Sequence, residues 1–215
     1  MHQLVEHVDQ SWCVMDLATN VLIVEPLVDV HKFMKHPRGF LHIYTGDGKG
    51  KTTAALGLLL RAIGAQKHVA VVFFDKGGKH YCERKTIENF LNDSVDFFVT
   101  GRDRRNSQTG LFDFSIIEED KQEAKKGLAK AKQLLEEGYH DLVILDELNS
   151  TVHLGMLDEK EVLSIIALRP LAMELVLTGR HAPDSFLSKA DLITRMQYEK
   201  HYFYSGVYAR EGIDF

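Results

Sequence analysis

Tyr44-Thr45-Gly46-Asp47-Gly48-Lys49-Gly50-Lys51-Thr52-Thr53 decides the fold. The stretch follows an apolar run at 40–45 and opens onto Ala54-Ala55-Leu56-Gly57-Leu58-Leu59-Leu60, so it reads as a glycine-rich turn between a strand and a helix. A bound phosphate needs backbone N–H groups converging on it, and glycine lets the chain bend tightly and come close. The start of the helix adds partial positive charge, and Lys51 adds a full one. Thr52 offers a hydroxyl to a magnesium ion bridging the phosphates. Residues 46–53 are therefore expected to cradle a nucleoside triphosphate. The usual spacing puts the first glycine where Thr45 stands, and here it comes one residue late, at Gly46. Three glycines still separate strand from helix. The bland alternative is a solvated Gly/Lys turn, which the strand-to-helix setting disfavours.

Outward from this loop, apolar runs at 69–74, 95–99, 142–145 and 174–178 read as further strands. Between the runs, 51–65, 79–91, 116–137 and 158–168 read as helices. In the third of these, Ile117, Ala124, Leu128, Ala131 and Leu135 recur at helical spacing, and Gly138 supplies the stop. Strands apolar throughout indicate a sheet covered on both faces. The alternation predicts an α/β fold with a doubly wound, mostly parallel sheet and a short N-terminal extension; with the glycine loop at 46–53 it resembles the P-loop NTPase (RecA-like) type. Ligands of such sheets bind beyond the carboxyl ends of the strands.

Two more stretches place chemistry at that edge. Asp141-Leu142-Val143-Ile144-Leu145-Asp146-Glu147 is an apolar strand ending in two carboxylates, which can hold magnesium or its water shell beside the loop. Leu177-Thr178-Gly179-Arg180-His181-Ala182-Pro183 brings Arg180 to the same face, where it can meet a phosphate or a carboxylate; a surface arginine in a tight turn is the alternative. His181 reads as a polar loop residue. The eleven histidines show no ligand-like spacing, so no histidine metal site is expected.

The basic stretch 31–39 ends in Pro37 and Gly39 and reads as a linker, dividing an extension (1–38) from the main domain (39–215). In the extension, Val21-Leu22-Ile23-Val24 reads as a strand stopped by Pro26. The net charge of −5 gives no broad positive field, so neither nucleic acid nor a membrane is the expected partner. Cys13 and Cys82 stand far apart and read as free thiols. No apolar run nears the ~18 residues of a membrane span, and the first 20 residues show no secretion signal. A cytoplasmic protein is expected.

Taken together, several of these segments resemble one family in consistent order over about 39–215, the ATP:corrinoid adenosyltransferases of the cobalamin pathway. The segment 44–55 resembles that family's glycine loop. Leu145-Asp146-Glu147-Leu148, Thr178 through Pro183, and Ala190-Asp191-Leu192-Ile193-Thr194 are similar to other stretches of it. Lys200-His201, Gly206, and Ala209 through Gly212-Ile213-Asp214-Phe215 resemble its ending. The resemblance implies that a cobalt(I) corrinoid attacks the 5′ carbon of ATP, which lies across the loop in the reverse of the usual sense, and that the whole triphosphate leaves. It implies further that Gly46, Asp47, Gly48, Lys49, Gly50, Lys51, Thr52 and Thr53 hold the triphosphate, with Lys51 neutralising the developing charge. Thr52 and Glu147 would hold Mg2+ (or Mn2+) with Asp146 in support, and Lys76 and Arg180 would reach the nucleotide. A homodimer and a flavoprotein reductase supplying cobalt(I) complete the implied picture.

The sequence also departs from that family. Where it usually carries a Gly-Phe-Thr-Trp-like stretch on the corrinoid side, this chain has Val99-Thr100-Gly101-Arg102-Asp103-Arg104-Arg105-Asn106, and its one tryptophan is Trp12. Phe73 replaces a glutamine and Arg195 a glutamate, and the N-terminal segment is unlike the family's basic helix. Read from the residues alone, two other uses of the cradle stay open: a kinase or ATPase transferring the γ-phosphate, and an ATP-binding corrinoid carrier or regulator without transfer activity. For the arginine loop, a polar rim for the corrinoid and a solvated charge cluster are the two readings.

Overall fold

The computed structural model describes residues 2–8, 11–16, 21–26, 38–104 and 113–215, and divides the chain into two units, Met1–Pro37 and Arg38–Phe215. In the first unit β1 (His2–Val8), β2 (Ser11–Asp16) and β3 (Val21–Pro26) form an antiparallel sheet in that order. Ser11 pairs with Val8 in one direction and with Pro26 in the other. The expected strand at 21–24 is part of β3; β1 and β2 were not expected, because His2, Gln3, Glu6 and His7 break any apolar alternation there. Of the stretch read as a linker, 31–37 lie outside the described residues. Gly39 belongs to the second unit's packed body: a Cβ on it would lie 2.2 Å from the Met173 carbonyl.

The second unit is built on six strands: β4 (Leu41–Thr45), β5 (Val69–Phe73), β6 (Val95–Val99), β7 (Leu142–Asp146), β8 (Glu174–Thr178) and β9 (Leu192–Arg195). They run parallel in the order β6-β5-β7-β8-β4-β9. The helices are α1 (Lys51–Gly64), α2 (Cys82–Thr86), α3 (Glu118–Glu137), α4 (Leu148–His153), α5 (Glu159–Ile166) and α6 (Asp184–Leu187). The sheet is the expected one with a strand added: β9 pairs with β4 along the exposed edge, and all four of its residues are exposed. The expected helix at 79–91 divides into α2 and a wider π turn at Ile87–Leu91.

Alternation along the central strands makes two cores. Ala70, Val72 and Phe74 join Ala124, Leu128, Ala131 and Leu135 of α3 on one face. Val69, Val71 and Phe73 join Ala55, Leu59 and Ala62 of α1 on the other. Successive residues point to opposite faces of a strand, so both phenylalanines are fully buried though adjacent. Each such side chain contributes about 1.5–3 kcal/mol of burial. Ile117 departs from the expected stripe: it stands before the first turn of α3, 43% exposed. Asp120 takes its inward place and accepts the Ile117 N–H at 2.8 Å, capping the helix. At the other end Gly138, with φ 63°, supplies the expected left-handed stop.

Candidate active site

Because all six strands run the same way, their carboxyl ends meet at one edge. There β4 delivers the loop 46–50, β5 delivers Lys76, β7 ends in Asp146 and Glu147, and β8 leads to Arg180. A cavity of about 850 Å³ opens at this edge, within the range of small-molecule sites. It is lined by 47–53 together with Lys76, Glu147 and Arg180, so the structure brings nearly every expected site residue to one place. Gly46 and Asp146 stand just behind that surface.

The late glycine has a steric reason. Gly46 (φ +96°) and Gly48 lie against the backbone that leaves β9: a Cβ on Gly46 would be 2.4 Å from Met196 O, and one on Gly48 2.8 Å from the same atom. Gly48 N–H donates to Met196 O at 2.8 Å, so this amide is spent on the added strand rather than turned to the cavity. Gly50 (φ +117°) makes the turn into α1.

Lys51 folds back over its own loop, donating to Gly46 O at 2.7 Å and Gly48 O at 2.8 Å. Burial pushes its ammonium below the ordinary lysine value, against the opposing pull of Glu147.

Behind Lys51 stands a charged cluster. Thr52 donates its hydroxyl to Asp146 Oδ1 at 2.9 Å, and Thr178 donates to the same oxygen at 2.6 Å. Lys76 Nζ donates to Asp146 Oδ2 at 2.6 Å and to Thr52 Oγ1 at 3.0 Å. Burial works against the Lys76 ammonium, but Asp146 and Glu147 outweigh it and hold its pKa well above the usual value. Both oxygens of Asp146 are thus engaged.

Glu147 sits at φ 62°, a left-handed conformation that costs a side-chain-bearing residue about 1–2 kcal/mol. Three hydroxyls hold it: its N–H on Thr178 Oγ1 at 2.9 Å, Ser150 Oγ on its Oε2 at 2.7 Å, and Thr151 Oγ1 on its carbonyl at 2.8 Å. So held, Glu147 lines the cavity. A hydroxyl and carboxylates suit a hard cation that keeps several waters and takes further oxygens from phosphates. By that test Thr52 and Glu147 fit magnesium, and Asp146 fits as the group behind them. No cluster of three or more His, Cys, Asp or Glu able to hold a metal occurs among the described residues.

A second cavity of about 480 Å³ adjoins the first, and Lys76, Tyr81 and Glu147 line both. Arg102 and Arg104 line the second, but their guanidinium groups are already paired. Arg102 meets Asp120 and Asp113, each at 2.9 Å, and Arg104 meets Asp75 at 2.7 Å and Asp120 at 3.1 Å. These ion pairs tie the turn after β6 to the start of α3, and Arg104 Nη2 is buried beside the second cavity without a hydrogen bond. Arg105 and Asn106 lie outside the described residues.

Sequence reasoning missed three parts of the site. Thr178 was quoted for its loop, while its hydroxyl is what links Asp146 to Glu147. Tyr81, read as helix, instead stands 5.6 Å (ring centroid) from Lys76 Nζ between the cavities. Of the wall formed by Tyr202, Phe203, Asp214 and Phe215, the sequence marks only Asp214 and Phe215, as part of a matching ending with no role attached.

Comparison with known proteins agrees with this geometry. Residues 37–215 match the family model described as ATP:corrinoid adenosyltransferase BtuR/CobO/CobP. A corrinoid adenosyltransferase of Sinorhizobium sp is 34% identical over 180 residues, covering 83% of this chain and 81% of that one. One from Escherichia coli (strain K12) is 36% identical over 179 residues, covering 83% and 86%. Among solved structures, the flagellar accessory protein FlaH from Methanocaldococcus jannaschii superposes with a TM-score of 0.53 at 13% identity, over 80% of this chain and 78% of that one. That likeness is one of fold.

Proposed function

The chain belongs to the ATP:corrinoid adenosyltransferase BtuR/CobO/CobP family, and from that premise we propose that it transfers the 5′-deoxyadenosyl group of ATP to the cobalt(I) of a corrinoid. Within that class we assign cob(I)yrinic acid a,c-diamide or cob(I)alamin as the substrate. The cobalt–carbon bond forms with the electron pair of cobalt(I) as the C5′–O bond breaks, and triphosphate leaves intact with the bonding pair. The nucleophile carries no proton, so no general base is required, and the protein's contribution is position and charge.

The observation that carries the reading is the placement of Lys51 and Thr52 beside the Lys76–Asp146 pair on one cavity. Lys51 exchanges its two loop carbonyls for triphosphate oxygens and stabilises the charge that grows on the leaving group. Lys76 and Arg180 add positive charge on the other sides. Thr52 and Glu147 hold Mg2+ (or Mn2+), which when bound spreads the charge of the triphosphate. The domain at 39–215 carries the activity and 1–38 is an extension to it. The proposal includes a cytoplasmic homodimer served by a flavoprotein reductase; no helix among the described residues is long and apolar enough to cross a membrane.

Turnover with MgATP and a chemically reduced corrinoid, followed by the light-sensitive spectrum of the carbon–cobalt product, tests the reading. A spectrum no different from the enzyme-free control contradicts it.

A further inference from the structure

Lys49 belongs to the glycine loop, yet its ammonium is engaged away from it. Lys49 Nζ donates to the Ile213 carbonyl at 2.7 Å and pairs with the Asp214 carboxylate. Asp214 is a built acceptor, with its side chain 10% exposed. Tyr202 donates its hydroxyl to the oxygen that Lys49 meets. Arg210 donates to the other oxygen through its backbone N–H at 2.9 Å and Nε at 3.2 Å. Asp214 N–H returns to Arg210 O at 2.8 Å, and Gly212 N–H reaches Phe215 O at 2.8 Å, so 210–215 is wound into a compact turn. The donors Lys49 and Tyr202 hold the Asp214 carboxyl far below the usual carboxylate range. Lys49, Asp214 and Phe215 all line the larger cavity.

We propose that Asp214 is a positioning residue of the nucleotide site: by pairing with Lys49 it fastens the 210–215 turn against the glycine loop and so completes the wall that receives the nucleoside triphosphate. The inference rests on the reading of that cavity as the nucleotide site. A loop with three glycines in five residues has much conformational freedom to lose when a ligand arrives. A clamp from a distant segment removes part of that loss in advance. An exposed ion pair by itself contributes little. Here the carboxylate gathers four donors from three residues, and Lys49 is the one that reaches it from the loop. The two lysines of the loop then differ in role: Lys51 meets the triphosphate, and Lys49 holds the wall.

This division is measurable, because a lysine that touched triphosphate directly would not depend on Asp214. MgATP titration of the parent, Lys49→Met, Asp214→Asn and the double variant should show each single change raising Kd by about tenfold, with the double no worse than the weaker-binding single. The KM for ATP should rise with Kd while kcat changes less, and Asp214→Glu should restore part of the affinity. Trypsin should cut after Arg210 faster in Asp214→Asn than in the parent, since the turn is released. Parent-like or tighter ATP binding in Asp214→Asn, or additive losses in the double variant, would overturn the fastening alone. A parent that binds no MgATP overturns the nucleotide site itself, and this inference with it.

Discussion

Lys76 donates through Nζ to Asp146 Oδ2 across 2.6 Å, joining the turn after β5 to the end of β7 in a pair whose carboxylate is 1% exposed. A buried charge without its partner is costly, so the pair is a structural element as well as part of the site. Lys76→Met leaves Asp146 with two hydroxyl donors and without its ion-pair partner. The expected loss is about 3 kcal/mol of folding stability, read from urea unfolding. An unchanged midpoint would show that Asp146 sheds its charge instead.

The same pair sets a pH dependence. Folding raises the Lys76 pKa, so its contribution is whole below about 10.4, the ordinary lysine value, and is lost as pH climbs through the higher folded value. The stability difference between parent and Lys76→Met should therefore hold constant up to about pH 10 and shrink above it. A difference that shrinks instead between pH 6 and 9 would contradict the assignment.

Lys51 behaves differently, because its partners are carbonyl oxygens of its own loop. Lys51→Ala should cost at least ~2 kcal/mol of transition-state stabilisation, more than ~30-fold in turnover. Circular dichroism and the unfolding midpoint should stay near those of the parent. Near-normal turnover would remove Lys51 from the chemistry.

Asp120 predicts a contrast within the arginine loop. It caps α3 and receives both Arg102 and Arg104, with its side chain fully buried. Asp113 meets Arg102 from a side chain that is 53% exposed. Asp120→Ala should destabilise by about 3 kcal/mol, whereas Asp113→Ala should leave the unfolding midpoint near that of the parent. Equal effects of the two would mean that burial does not set the weight of this network.

The residues that were legible in the sequence are those whose type alone dictates local geometry. Gly50 followed by Lys51 and Thr52 announces a phosphate turn, and Val69–Phe73 and Leu142–Asp146 announce strands covered on both faces. What stayed hidden depends on partners far along the chain. The place of Gly46 is set by Met196, which packs against it from far along the chain, and β9 itself is exposed and carries Arg195, so no apolar run marks it. Arg102 and Arg104 read either as a polar rim for the corrinoid or as a solvated cluster, because their counter-ions Asp75 and Asp120 lie up to 29 residues away. Asp146 and Glu147 were legible as a pair, but the contact that neutralises one and leaves the other to the cavity, Lys76 on Asp146, is a matter of packing.

The central claim is attack at the 5′ carbon of ATP, and the phosphorus products decide it directly. Incubated anaerobically with MgATP and a cobalt(I) corrinoid, the protein should release tripolyphosphate in equal amount to the adenosylated corrinoid, with ADP at the enzyme-free background. Stoichiometric ADP without a carbon–cobalt product would contradict the account in favour of γ-phosphate transfer. ATP binding with neither product, across several corrinoids, would contradict it in favour of a carrier or regulator.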